Sequence, residues 1–159
     1  VAGRELDVHA DASYLLDSPA TPHPEEHVMS YALSTTIGRP FADVLDATRT
    51  ALTDQGFGIL TEIDLAATLK SKIGAKIPDQ VILGACRPVL AHAAIQAEPS
   101  IGLLLPCNVV VRSVGDTTTV VEAMDPDVMV TMTRNDDLAE VAADARERLN
   151  IALGSLSAT

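Results

Sequence analysis

Apolar and polar positions change period several times along this chain, and each change marks a predicted element. In VMSYALST (28–35) Met29, Tyr31 and Leu33 alternate onto one face, which predicts a first strand. The period lengthens through GRPFADVLDATRTALTDQG, where Phe41, Val44, Leu45, Thr48 and Leu52 fall on one helical stripe. Pro40 at the first turn and Gly56 just past the end bracket that helix. Alternation returns in FGILTEI through Phe57, Ile59 and Ile63, predicting a strand. DLAATLKSKIG then reads as a short helix, with Asp64 as N-cap and Gly74 as the stop.

In the second half QVILGAC is a short apolar run that predicts a strand, and the Ala-rich PVLAHAAIQAE opens on proline as a helix should. GLLLPCNVVVRSV and TTTVVEAM form a predicted hairpin around Gly115-Asp116. DVMVTMT is readable both ways: its β-branched residues favour extension, while the preceding Asp125-Pro126 can open a helical turn. A last helix places Leu138, Val141, Ala142, Ala145, Leu149 and Ala152 on one face. The sum is an α+β fold, an antiparallel sheet with helices on one face, in the order β-α-β-(α)-β-α-β-β-α. Read as a strand, Leu103–Val111 is apolar on both sides, with Leu103, Leu105, Cys107, Val109 and Val111 on one and Leu104 and Val110 on the other. A sheet face of that kind calls for a cover, and a second copy of the chain is the expected one, making a homodimer.

Composition narrows the function. A chain of 159 residues suits one domain, and residues 28–155 are assigned to it. Residues 1–27 are acidic and proline-bearing without a sustained period, and read as a weakly ordered arm with Tyr14, Leu15 and Leu16 as its docking handle. His23 and His27 bracket PEE in that arm, but Pro24 breaks the helical spacing a metal pair would need, so they read as solvated. A net charge of −11 disfavours nucleic acid as a partner. The expectation is also no membrane association and a cytoplasmic location, since no apolar run is long enough to span a bilayer and the first residues lack a signal-peptide pattern.

The chemistry concentrates between residues 84 and 111, the stretch that holds both cysteines. Cys107 shares a strand row with Leu and Val, where a small inert cysteine belongs. Cys86 ends a strand just ahead of a helix N-terminus, where the helix dipole favours a thiolate. The pair is therefore the candidate for thiol or redox catalysis. Together with His92, six residues after Cys86, it is also the candidate trio for a soft metal ion, although the spacing matches no established zinc motif. Glu98, at the end of the same helix, reads as a solvated residue before Pro99 or as an acid-base group near Cys86. Asn108 faces away from Cys107 and marks either a dimer seam or a pocket wall. Asp64 reads as a cap and Lys72 as an ordinary exposed lysine or an anion contact. There is no Ser-His-Asp order, phosphate-cradling glycine loop or dinucleotide fingerprint, so no cofactor is expected.

LGACRP, AHAAIQAEPSIGLLLPCNVVV and EAMDP, preceded by GFGILTEIDLAATLKSKIG, resemble the domain-of-unknown-function family 302 over roughly Val28 to Leu149. The positions that carry the resemblance are Asp64, Lys72, Gly84, Cys86, Pro88, Glu98, Pro99, Pro106, Cys107, Asn108, Asp125 and Pro126. Arg87 is a departure, standing where the family commonly has Asn. The resemblance implies a TATA-box-binding-protein-like α+β fold, often dimeric, and implies no reaction. The first functional expectation is a non-enzymatic small-ligand-binding or accessory module, its pocket drawing on Gly84, Cys86, Arg87, Glu98, Cys107 and Asn108. A thiol-dependent redox protein or enzyme using Cys86 and Cys107 is the alternative, and a purely structural dimerisation domain is the third.

Overall fold

A computed structural model describes residues 31–158. The arm, its two histidines and Met29 lie outside the described residues. The strands are β1 (Ala32–Ile37), β2 (Gly58–Asp64), β3 (Gln80–Cys86), β4 (Cys107–Gly115) and β5 (Thr118–Met124). They form one antiparallel sheet in the order β1-β5-β4-β3-β2. The helices are α1 (Phe41–Asp54), α2 (Leu65–Ile73), α3 (Pro88–Ala97), α4 (Asp127–Thr133) and α5 (Ala139–Leu156), with 3-10 turns at Pro99–Leu104 and Asp136–Leu138.

Alternation along the strands decides which side chains the helices cover. Val81, Leu83 and Ala85 of β3, Val109 and Val111 of β4, and Val121 and Ala123 of β5 are buried on one face. There they pack with Val44, Leu45, Ala51 and Leu52 of α1 and Leu149, Ala152, Leu153 and Leu156 of α5. Burying this aliphatic surface, at roughly 25 cal/mol per Å2, is what pins the helices to the sheet. A smaller cluster of Ala94, Ile101, Met129, Leu138 and Ala142 fills the space where α3, α4 and α5 meet.

Local signals act as the sequence predicts at several ends. The Asp64 side chain accepts a hydrogen bond from the Ala67 amide at 2.8 Å, and Gly74 closes α2 at φ +70°. A side chain would be strained at that φ, which is why glycine stops the helix. Residues 116–117 form the turn of the β4–β5 hairpin. DVMVTMT resolves as helix α4: the Asp125 carboxylate accepts from the Asp127 amide at 3.0 Å and so fixes the first turn.

Two expectations need correction. Leu103–Leu105 are not strand; Pro99 opens a 3-10 turn through Leu104, and β4 begins only at Cys107. Leu103 is 89% exposed, whereas Leu104 and Leu105 pack on the small second cluster. The apolar both-sided strand therefore shrinks to Val110 on the face of β4 that is uncovered among the described residues. Ile63 is also displaced from the row of Ile59. The pairing jumps between Ile59 and Thr61, so Leu60 is an extra residue and the rows swap beyond it. Glu62 consequently turns to the helix side and pairs with Arg49 of α1, while Ile63 joins Ile82 on the other face.

Candidate functional site

Gly84, Cys86, Arg87, Cys107 and Asn108 meet at one junction, where β3 leaves the sheet for α3 and β4 enters it. Ala85 lies opposite Cys107, and Gly84 opposite Asn108. Gly84 is required there: a Cβ would stand 2.1 Å from Thr61 Oγ1 and 2.8 Å from Pro106 Cγ. The two strands are neighbours, as a pairing of the cysteines demands, but the register is offset by one position. Cys107 belongs to the row of Val109 and Val111, while Cys86 belongs to the row of Gly84 and Ile82. Ala85, and not Cys86, is thus the direct cross-strand partner of Cys107. Both thiols are free, Cys86 half-buried and Cys107 buried.

The junction therefore has two different sides. On the helix side is a cavity of about 20 Å3, lined chiefly by Phe57, Leu90, Leu105, Cys107, Met129 and Val141, with Cys86 and Arg87 at its border. That volume holds a single water at most, and its apolar lining offers a water few partners. Burial, and secondarily the nearby Cys86, push the Cys107 thiol up to about 11, so it stays protonated at neutral pH. Arg87 Nη1 donates to Asp144 Oδ2 at 3.0 Å and ties the start of α3 to α5.

On the uncovered side runs a groove of about 360 Å3, lined by Tyr31, Ala32, Gln80, Asn108, Val110, Arg112, Glu122 and Met124. Val110 and Met124 form an apolar floor, and polar side chains surround them. Arg112 Nε donates to Glu122 Oε2 at 3.1 Å, each side chain about one-third exposed. Gln80 lies opposite Arg112 in the register, and Val110 lies opposite Glu122. This volume is within the range of small-molecule sites, which combine an apolar floor with a few placed polar groups.

The remaining candidates disperse. His92 is exposed on α3, and among the described residues no group of three His, Cys, Asp or Glu side chains is placed to hold a metal. The Cys86–His92–Cys107 trio is not assembled. Glu98 sits at the far end of α3, about 15 Å along a helix of ten residues from its start. There it accepts a hydrogen bond from Asn135 Nδ2 at 3.3 Å, so its partner is the loop after α4 rather than Cys86. Lys72 is exposed in the last turn of α2. Asp125 is buried and held by Arg146, whose Nε donates to both carboxylate oxygens at 3.1 and 3.0 Å.

Tyr31, Gln80, Arg112 and Glu122 line the groove without having been candidates in the sequence. The signal was present: alternation from Asn108 puts Val110 and Arg112 in one row, and folding the hairpin at Gly115-Asp116 lays Glu122 beside them.

The sequence and the fold both have known relatives. The sequence model of the family described as Domain of unknown function DUF302 matches residues 33–156. The chain belongs to the DUF302 family. The crystal structure of an uncharacterized conserved protein DUF302 from Bacillus stearothermophilus is similar to it at a TM-score of 0.72 and 26% sequence identity, covering 79% of this chain and 97% of that one. Among curated proteins none matches. Family membership accords with the α+β fold, and the family's description names no reaction. No helix among the described residues is long and apolar enough to cross a membrane.

Proposed function

We propose that this DUF302 protein is a non-enzymatic binding module that takes a small ligand in the groove on the uncovered face of its sheet. The observation that carries this reading is the contrast between the two faces of the sheet: a cavity of about 20 Å3 on the helix side and a polar-rimmed groove of about 360 Å3 on the other. Of the ligand-contact set expected from sequence, Asn108 lines the groove, whereas Cys86, Arg87 and Cys107 line the small cavity on the helix side. The test is protein-observed NMR with a small-fragment library. Shifts clustered on Asn108, Val110, Arg112 and Glu122 support the reading, and fragments that perturb only other surfaces overturn it.

A second reading, pairing of two copies through the same face, is favoured by Tyr31, which is 69% exposed, and by the apolar floor of Val110 and Met124. A charge at the centre of such a seam would split it. Sedimentation of wild type and Val110→Asp decides: a dimer that the substitution dissociates supports pairing, and a wild-type monomer removes it. The thiol-redox alternative is disfavoured by the register offset of the two cysteines and by the raised pKa of Cys107.

A further inference from the structure

Resting on the reading of the groove as a ligand site, we infer that its ligand class is a small zwitterion, an α-amino acid with an apolar side chain. The argument begins with the Arg112–Glu122 pair. Arg112 engages through Nε and Glu122 through Oε2, and neither the Nη atoms of Arg112 nor Oε1 of Glu122 has a partner among the described residues. A guanidinium edge and a carboxylate oxygen thus stand side by side at the wall of an apolar-floored groove.

Ligands of a single charge are poorly matched to this wall. An anion would have to compete with Glu122 for Arg112 and leave the carboxylate without its partner, and it would meet a chain of net charge −11. A cation would do the converse and strand Arg112. Leaving one member of a partly buried ion pair uncompensated is the costly outcome. A zwitterion gives each side chain a new counter-charge at once and adds no net charge to the complex.

Spacing selects the kind of zwitterion. The two protein groups are in direct contact at 3.1 Å. In an α-amino acid the ammonium nitrogen and the carboxyl carbon share one carbon and lie roughly 2.5 Å apart by ordinary bond lengths. Its carboxylate can therefore face the guanidinium edge, where bidentate geometry is available, while its ammonium faces Glu122 Oε1. Because the guanidinium and the carboxylate adjoin on one wall, they suit a zwitterion whose own two charges lie close together. The side chain then lies over Val110 and Met124, and the carboxamides of Gln80 and Asn108 border it. An aliphatic side chain gains from that floor, and a charged one does not.

The experiment is calorimetric titration of the protein with L-leucine, N-acetyl-leucine and leucinamide, alongside the fragment mapping by NMR. Leucine is expected to bind, and each analogue, lacking one charge, to bind at least tenfold more weakly. Arg112→Met and Glu122→Gln are each expected to weaken leucine at least tenfold. The double variant, which leaves no stranded charge, serves as the folded control and is expected to lose leucine as well. Equal binding of leucine and its analogues, or leucine binding unchanged in the variants, overturns the assignment. If leucine gives no heat while fragments still shift Asn108 and Arg112, the ligand class is wrong and the groove stands. If neither binds there, both fall.

Discussion

The two faces of this sheet are built from the same strands and teach opposite lessons. On the helix side, β3, β4 and β5 present Leu83, Val109, Val111 and Val121, all essentially inaccessible, and the chemistry is that of a packed core. On the other side the same strands present Gln80, Asn108, Arg112 and Glu122 around a small apolar floor. The difference matters because, if the groove takes the proposed ligand, stability and binding are separable one residue apart along each strand. Cys107 and Asn108 show it most sharply: neighbours in sequence, one is a buried protonated thiol and the other an exposed amide at the groove.

The largest expected effect compares the two faces directly. Leu83→Ala should cost roughly 2–5 kcal/mol in chemical denaturation, because the helices cannot fully collapse into the space it vacates. Val110→Ala, across the sheet, should cost about 1 kcal/mol or less. Equal losses would mean that the uncovered face is buried as deeply as the core.

Alkaline pH sharpens the same contrast. The Cys107 pKa is raised in the folded protein from 9.0 to about 11, so between those values the unfolded chain loses a proton that the folded chain keeps. Stability attributable to Cys107 is complete below pH 9 and is lost as pH rises toward 11, on the order of 2–3 kcal/mol. Denaturation of wild type and Cys107→Ala across that window should show a loss in wild type that the variant lacks. A loss of the same size in both would place the titrating group elsewhere.

A smaller effect is expected at Gly84, where the groove face is tightest. Gly84→Ala should destabilise by about 1–3 kcal/mol through collision with Thr61 and Pro106. Adding Thr61→Ala should recover part of the loss, since it clears the nearer contact while Pro106 stays. No recovery in the double variant would show that Pro106, and not Thr61, sets the limit.

Much of the fold was legible because local signals and burial agree. The α1 stripe of Val44, Leu45, Thr48 and Leu52 is buried as its period requires, and Asp64 and Gly74 bound α2 through a cap and a left-handed φ. Two features were not legible. The bulge at Leu60 inserts a residue without any glycine or proline to announce it, and it moves Ile63 to the other face. Leu103–Leu105 read as strand because apolar content does not distinguish a 3-10 turn after proline from extension. The site was half legible: the sequence marked Asn108 and the cysteines, but the offset that separates Cys86 from Cys107 is a property of strand pairing. Arg112 and Glu122 become neighbours only once the hairpin is closed.

The most direct test of the central claim, that one face is core and the other an accessible binding surface, is cysteine reactivity at two adjacent positions. In a background carrying Cys86→Ala and Cys107→Ala, Val109→Cys and Val110→Cys are each reacted with a thiol reagent, native and denatured. The account predicts that the thiol at position 110 reacts in the native protein and the thiol at position 109 only after unfolding. Protection at both positions would contradict it, because the face assigned to the ligand would then already be covered.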